Sequence, residues 1–452
     1  MGRATVETTD MVRHFKRVQF DGQLIDRDHA EFDRYRRVWN ATADRRPGVI
    51  VRAGSVKDIQ KVITAAAQDR TLLAVRGGGH SIPGLSTCDD GIMLDLSLMN
   101  SVSIDKSSGR AEAQGGALLG DLDRAAVEHG RVVPAGVISH TGVAGLTLGG
   151  GMGWLSRHFG LTIDSLLAAD IITADGQLLH VSDKSEPELF WAIRGGGGNF
   201  GVVSRFVFRT HHLGPVLIGK WTYPVTQAGA VLRQLNDLAA HAPRELTTGF
   251  VFLAAGLNVT AIWSGAAEEA DDQVMPFGRL GQPETSSVGE ITFLQLQSMA
   301  DERMAWDRRF YAKGGFVREI DAAVIDRMVD CIANSPAADA EFYVIQLGGA
   351  VCDVADNDTP YSGRQAGFYW LVESAWDDPA EDERVISWSR AAAASLAEVS
   401  MRGNYVNEQI DVSSEVARSA YGETKYDRLS KLKARYDPTN LFRLNQNIEP
   451  KF

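Results

Sequence analysis

Cysteine is scarce in this chain of 452 residues: Cys88, Cys331 and Cys352 are the only three, and they lie far apart. Thiols so spaced form neither a disulfide framework nor a clustered zinc site. A metal-free protein with reduced thiols, in the cytoplasm, is expected. Long apolar runs are missing too. No stretch of about 18 uninterrupted apolar residues offers a membrane-spanning helix, and the opening MGRATVETTDMVRHFKRVQF lacks the apolar core of a secretory signal. No run of Lys and Arg is long enough to override a net charge of −12, so neither nucleic acid nor membrane is an expected partner. The P-loop pattern G-x-x-x-x-G-K-[ST] does not occur. GGGNFG (196–201) does match G-x-G-x-x-G, but a strand-like run follows it and the next acid is Asp237. A dinucleotide-binding Rossmann turn needs a helix there and an acid about 20 residues on, so that site is excluded.

What is present is an ordinary globular composition, with 44% hydrophobic and 23% charged residues. The length is enough for two domains and for a core that encloses a large ligand. GVIVR (48–52) reads as a strand. Ser55 follows as an N-cap with Asp58 as its N3 partner, and Ile59, Val62, Ile63 and Ala66 share one helical face. TLLAV (71–75) is the next strand and runs into RGGGH, so a β-α-β unit delivers a loop where α/β folds bind ligands. The layout continues with a helix at LGDLDRAAVEHG (119–130), then RVVPAG, a hairpin at DIITADGQLLHV (170–181), a short helix at PELFWAI (187–193) and a strand at GVVSRFVFRT (201–210). From about 215, helical stretches such as QAGAVLRQLNDLAAH alternate with strands such as GFVFLAA and LNVTAIW, marking a second domain to about 400. In the tail, YDRLSKLKARYDP places Tyr426, Leu429, Leu432 and Tyr436 near one helical face and stops at Pro438.

Glycine is concentrated in the first domain in four groups: Gly77–Gly79, Gly115–Gly116, Gly149–Gly151 and Gly195–Gly198. Adjacent backbone N–H groups of such loops form anion-binding nests, and four of them suit a long, pyrophosphate-linked nucleotide. His80 ends the first group. Taken alone it is either a ligand-facing imidazole or a solvated loop residue.

RGGGHSIPG, SHTGVAGLTLGGGMGWLSRHFGLTIDSL, ADIITADGQLLHVS, ELFWAIRGGGGNFGVV and YDPTNLFRLNQNI occur in this order. Together they resemble the motifs of berberine-bridge-enzyme-like FAD oxidases of the vanillyl-alcohol-oxidase superfamily, with the bacterial 6-hydroxy-D-nicotine oxidase group as a near relative. The resemblance covers roughly 40–214 and 400–450. It implies an α+β fold: a PCMH-type FAD-binding domain of two subdomains (1–214), completed by the C-terminal tail (401–452), with an inserted substrate domain (215–400) of antiparallel sheet flanked by helices. By position it implies FAD contacts from Arg76, Gly77, Gly78, Gly79, Ser81, His140, Thr141, Gly142, Gly145, Gly149, Gly201, Val203, Asn407 and Asn445. His80 matches the histidine bonded to the flavin 8α-methyl carbon. Ile138 stands where many relatives carry a second, cysteinyl link, so a single covalent attachment is expected. Thr141 aligns with the position thought to control oxygen access; as a near isostere of valine it points to an oxidase.

The implied reaction is hydride transfer from a small alcohol or amine, aromatic, heterocyclic or sugar-like, to the flavin, with O2 as the second substrate and H2O2 as product. GNYVNEQID (403–411) resembles the family's Y-x-N-Y strand across the flavin, but Glu408 replaces the second tyrosine. A carboxylate in a dry cavity has a raised pKa and serves as a base near neutral pH or binds a cationic amine; Tyr405 is the other catalytic candidate. In GFYWLVESAW (367–376), Tyr369 and Trp370 lie on opposite strand faces, so at most one meets the cavity. A dehydrogenase or oxidative cyclase using another acceptor is the alternative, and a non-catalytic flavin-fold protein a third reading. A monomer or homodimer is expected.

Overall fold

Ile59, Val62, Ile63 and Ala66 are all fully buried, along one face of helix α1 (Val56–Asp69), in a computed structural model that describes residues 11–452. The Ser55 hydroxyl caps this helix by accepting from Asp58 N at 3.3 Å. Asp58 does not return the bond to Ser55. Its buried carboxylate accepts instead from the backbone N–H groups of Asp21, Gly22 and Gly54 at 3.1, 2.9 and 3.0 Å, tying the chain before the first strand to the helix start. Strands β1 (Gln23–Asp26), β2 (Val49–Arg52), β3 (Leu73–Arg76) and β4 (Ile92–Asp95) form a sheet in the order β1-β2-β4-β3. β2 and β3 both run parallel to β4, and β1 is antiparallel at the edge. The β2-α1-β3 unit thus leaves room for β4 between its two strands.

The second sheet is antiparallel throughout. It takes β5 (Val102–Asp105), β6 (Arg110–Gln114), β8 (Leu166–Ile172), β9 (Leu178–Ser182) and β10 (Val202–Arg209) in the order β5-β6-β10-β8-β9. The hairpin read at 170–181 is its β8–β9 edge. RVVPAG contributes less than its apolar residues suggest: only β7 (Arg131–Val132) pairs, with β11 (His211–His212), outside this sheet. Pro134 has no N–H to extend a ladder. Helix α2 (Leu119–Val127), α3 (Val143–Gly149) and α4 (Pro187–Ile193) pack around it. GGGNFG forms a single 3-10 turn, Gly197–Phe200, and leads straight into β10, so no helix N-terminus follows it.

The third sheet spans residues 216–376. Its seven strands are β12 (Val216–Tyr223), β13 (Leu246–Leu253), β14 (Gly256–Trp263), β15 (Thr285–Ile291), β16 (Arg309–Val317), β17 (Ala340–Gln346) and β18 (Phe368–Trp376), all antiparallel, in the order β15-β12-β14-β13-β17-β18-β16. Helices α5 (Ala228–Ala240), α6 (Ala322–Ile332) and α7 (Asp382–Ala397) cover one face. Strand alternation sorts β18 cleanly: Trp370 and Val372 join the core shared with these helices, while Tyr369 and Leu371 join the core on the other face, beside Met152 and Tyr405. A buried bidentate pair, Arg364 with Asp164 at 2.7 Å on both arms, links the loop before β18 to the segment before β8.

The tail returns to the first region. Helix α8 (Ser414–Tyr436) breaks its regular geometry at Gly422. Tyr426, Leu429, Leu432 and Tyr436 pack with Leu189, Phe190 and Trp191 of α4. In its last turn, the fully buried Lys433 ammonium donates to the Asp437 carboxylate (2.7 Å), Asn199 O (2.7 Å) and Phe442 O (2.9 Å). Asp437 also accepts from the N–H groups of Leu441 and Phe442, each at 2.8 Å. Asp437→Ala strands a buried ammonium and two amides, and is expected to cost about 3–5 kcal/mol, read as a lower denaturation midpoint in urea.

Candidate active site

The three sheets and the tail enclose one cavity. Its wall takes Gly77, Gly78, Gly79, His80 and Ser81 from the loop after β3; Ile138, Thr141, Gly142 and Gly145 from the stretch leading into α3; Gly197, Gly198, Gly201 and Val203 around the start of β10; Leu371 and Glu373 from β18; and Tyr405, Asn407, Glu408 and Asn445 from the tail. Fourteen of the residues singled out in sequence therefore meet on one surface, namely Gly77–Ser81, Thr141, Gly142, Gly145, Gly201, Val203, Tyr405, Asn407, Glu408 and Asn445. Ile138, expected in place of a cysteine, is on it as well.

Three do not line it. Arg76 points the other way along β3, donating to Tyr35 O at 2.8 Å with its guanidinium 5.7 Å over the Trp306 ring. Gly149 makes room for Asn407, whose amide oxygen would lie 2.1 Å from a Cβ at that position. His140 stands behind His80. Only two of the four glycine groups contribute to the wall. Gly115 and Gly116 serve packing instead: a Cβ would lie 2.3 Å from Val203 O and 1.9 Å from Leu96 O, respectively. The cradle is made by Gly77–Gly79 and Gly197–Gly198, and it is tight where two loops cross, since a Cβ on Gly78 would be 2.3 Å from Gly142 N.

His80 is boxed in by rings. Trp39 stacks on it at 4.4 Å and 19°, and Trp306 meets it edge-on at 6.3 Å. Its Nε2 lies 2.7 Å from His140 Nδ1. Burial, with His140 adding to it, holds the His80 pKa well below the usual histidine range, so the ring is neutral and keeps a lone pair.

The tail segment is not the strand that the Y-x-N-Y resemblance implied. Val406–Glu408 is a 3-10 turn, and Gln409 alone bridges to Lys313. A strand would send residues 405 and 408 to opposite faces; the turn puts 405, 406, 407 and 408 on the same wall. Asn407 fixes it by donating to Leu146 O (3.0 Å) and to the Tyr405 hydroxyl oxygen (2.9 Å), which also accepts from Gly151 N at 3.1 Å. The Tyr405 oxygen is thus occupied by backbone and amide. Glu408 is different: its Oε2 is buried with no hydrogen-bond partner among the described residues. Burial pushes its carboxyl up to about 7, the Tyr369 hydroxyl pulling the other way.

Among the wall residues that the sequence reading does not single out, one is acidic. Glu373 reaches the cavity from β18, two residues beyond Leu371 on the same face. Burial lifts its carboxyl to about 8, against the attraction of Arg303 and with repulsion from Glu341 and Glu408. Arg303 pairs with Glu341 and lies 3.9 Å from Glu373. The available signal was an acid at period two inside the otherwise apolar GFYWLVESAW.

The wall suits a flat, polar ligand with a phosphate-rich arm. Bare glycine backbones line one part, and Asn445 Oδ1 and Gln446 Oε1 are buried without partners elsewhere on it. Such a cavity, with a boxed neutral histidine and a buried carboxyl, defines a flavin-dependent oxidoreductase. A model described as FAD binding domain matches residues 47–182, and one described as berberine and berberine like matches 404–449. The chain is 30% identical to an FAD-linked oxidoreductase of Dictyostelium discoideum over 416 residues, covering 91% of each protein. It is also 30% identical to (R)-6-hydroxynicotine oxidase of Paenarthrobacter nicotinovorans over 454 residues, 96% of this chain and 98% of that one. The solved 6-hydroxy-D-nicotine oxidase of Arthrobacter nicotinovorans superposes with a TM-score of 0.87 at 28% identity, over 96% and 99% of the chains. Glucooligosaccharide oxidase from Acremonium strictum does so with 0.87 at 26%, over 98% of both. The chain belongs to the berberine-bridge-like FAD-linked oxidoreductases of the vanillyl-alcohol-oxidase superfamily, and FAD is its cofactor.

The raised Glu408 pKa has a stability consequence. Between the ordinary value of 4.5 and about 7 the folded protein binds a proton that the unfolded chain releases. This contribution is full below 4.5 and is lost as pH rises through 7, with a slope of at most about 1.4 kcal/mol per pH unit. Glu408→Gln removes the dependence. Its melting temperature relative to wild type is expected to climb between pH 5 and pH 8 in differential scanning calorimetry; a flat difference would mean that Glu408 does not titrate there. Gly78→Ala, which drives a methyl into the Gly142 backbone, is expected to yield folded protein with little bound flavin, measured by absorbance at equal protein concentration.

Proposed function

We propose that this enzyme is an oxidase with a single covalent FAD link through His80, acting on a small amine. The observation that carries the reading is the pair of buried carboxyls, Glu408 and Glu373, on one wall of a cavity otherwise lined there by Leu371, Ile138, Met152 and Trp39. Residues 215–400 would supply the substrate side and residues 1–214 with 401–452 the cofactor side.

When bound, FAD supplies the hydride acceptor that O2 restores, giving H2O2. The backbone N–H groups of Gly77–Gly79 and Gly197–Gly198 would hold the pyrophosphate. Asn445, and Asn407 through its amide oxygen, would hydrogen-bond around the ring, and Thr141 would leave space for oxygen. Glu408 would take the proton that a bound ammonium must shed before hydride can leave the adjacent carbon, a task for a base with a pKa near the working pH. Glu373, whose carboxyl is mostly protonated at neutral pH, would orient the substrate nitrogen by hydrogen bonding. The same Glu408 would deprotonate a hydroxyl, so a sugar-like or aromatic alcohol is the second reading; use of an acceptor other than O2 is the alternative fate of the electrons. Three unpaired thiols, Cys88, Cys331 and Cys352, support a cytoplasmic setting.

The test mixes the enzyme anaerobically with a panel of amines and alcohols, follows flavin bleaching, then admits air and assays peroxide. Amines should bleach the flavin and air should restore it with one H2O2 per turnover. Glu408→Gln should slow bleaching by roughly 10²–10⁴-fold. Bleaching by alcohols alone selects the second reading, and slow reoxidation without peroxide rejects the oxidase. Yellow colour should stay with acid-precipitated wild type and be lost in His80→Ala.

A further inference from the structure

We propose that the edge strand β15 is a self-association surface: a second copy of this chain lays its own β15 against it, antiparallel and about a two-fold axis, so that two seven-stranded sheets join into one. The inference stands apart from the flavin link and from the choice of substrate.

β15 ends the order β15-β12-β14-β13-β17-β18-β16, and six of its seven residues are exposed. The opposite edge of the same sheet, β16, is closed by the tail: Gln409 bridges to Lys313, and Ile410 N donates to Ala312 O at 3.1 Å. No such cover reaches β15. Beyond its pairing with β12, no backbone group of residues 285–291 bonds to other backbone among the described residues. The edges of the first two sheets, β1, β3, β5 and β9, are only four or five residues long. β15 pairs with β12 along all seven, from Thr285 opposite Thr222 to Ile291 opposite Val216, without a bulge. Natural edges are blunted by proline, lysine, a bulge or a short strand. TSSVGEI has none of these, and its single charge is Glu290. An open edge of this kind accepts one more strand through its main-chain groups.

A second β15 fits it. Residues that face each other across an antiparallel ladder share one side of the sheet. The register therefore moves only in steps that keep one residue on the two-fold axis, and each step away from Val288 shortens the ladder by two residues. With Val288 on the axis, Thr285 faces Ile291, Ser286 faces Glu290 and Ser287 faces Gly289. The half-exposed valines meet at the centre. The one charge of the strand faces a serine and never its own copy, which avoids the cost of like charges directly opposed.

Charge complementarity completes the match. Ser286 lies opposite Trp221 of β12. The turn Met275–Arg279 packs on that end of the strand: Tyr223 donates its hydroxyl to Phe277 O at 2.7 Å, and a Cβ on Gly278 would lie 2.6 Å from Trp221 Nε1. Arg279 and Glu290 are both exposed and form no ion pair within the described chain. The two-fold axis carries Glu290 of each copy to the end where the other copy presents Arg279, so the pair forms twice, as an isologous interface requires.

The test is sedimentation velocity of the full-length, flavin-loaded protein diluted through the micromolar range. Wild type is expected to show a reversible monomer–dimer equilibrium, as befits a small interface. Val288→Asp and Val288→Lys each set like charges face to face on the axis and should raise the dimer Kd about 100-fold. Val288 is 39% exposed, so flavin content and circular dichroism should stay as in wild type. Mixed in equal amounts, the two variants should dimerise again, because opposite charges now meet. Arg279→Glu should weaken the dimer about fivefold, and Glu290→Arg in the same chain should restore it. Hydrogen exchange of the β15 amides should be slower in wild type than in Val288→Asp at equal concentration. A wild type that is monomeric throughout overturns the proposal and leaves this edge to a strand of another protein. A dimer that survives Val288→Asp, or a mixture of the two variants that stays monomeric, overturns it as well.

Discussion

Two backbones cross at the centre of this molecule with no space for a side chain between them. Gly78 and Gly142 meet there, and every feature of the cavity is placed relative to that contact. The crossing is secured from the second loop by α2: its first N–H groups, of Leu119 and Gly120, donate to Thr141 O and Ser139 O at 2.9 and 2.7 Å, and Leu118 bridges to Gly142. Satisfying helix-end donors with loop carbonyl groups removes the usual penalty of a buried helix start. It also fixes the two histidines that follow the glycines on one loop and precede them on the other.

The tail is the second dependency. It delivers Tyr405–Glu408 to the wall, yet little of its own regular structure holds it there. Polar ties do so instead: Lys433 binds the backbone at 199 and 442, Asp437 binds it at 442, and Asn199 donates to Gln446 O and accepts from Ile448 N, at 3.0 and 2.9 Å. These groups are fully buried and satisfied, the condition under which a polar network specifies one arrangement. The glycine turn at 197–200 and the carboxyl at 408 are therefore parts of one tied unit, although more than 200 residues separate them in sequence.

Local pattern carried much of this into the sequence. Helical spacing at Ile59–Ala66, the hairpin at 170–181 and the buried face of α8 were all legible because each is decided by neighbours within a few residues. The unsuitability of GGGNFG as a Rossmann turn was legible for the same reason. What failed depended on contacts from afar. Arg76 was assigned to the cofactor by its position beside the glycines, but strand alternation turns it to Tyr35. Gly115, Gly116 and Gly149 look like cradle glycines, but they admit Val203, Leu96 and Asn407. The 403–411 segment reads as a strand until Asn407 finds Leu146 O. Glu373 sits within an otherwise apolar and aromatic strand, and only the register of β18 against β16 and β17 shows which face meets the cavity.

The segment after β15 reaches across from the large sheet to the loops of the first two. Asp301 holds Ser139, Met304 O receives Trp39, and Trp306 meets His80. The chamber around His80 is thus finished by residues made about 220 positions later in the chain. On a ribosome, the glycine loop emerges long before its roof does. Under the proposed link through His80, permanent attachment of the cofactor is in consequence a late event in the life of the polypeptide, and a molecule that carries the bound chromophore has already passed a test of complete assembly.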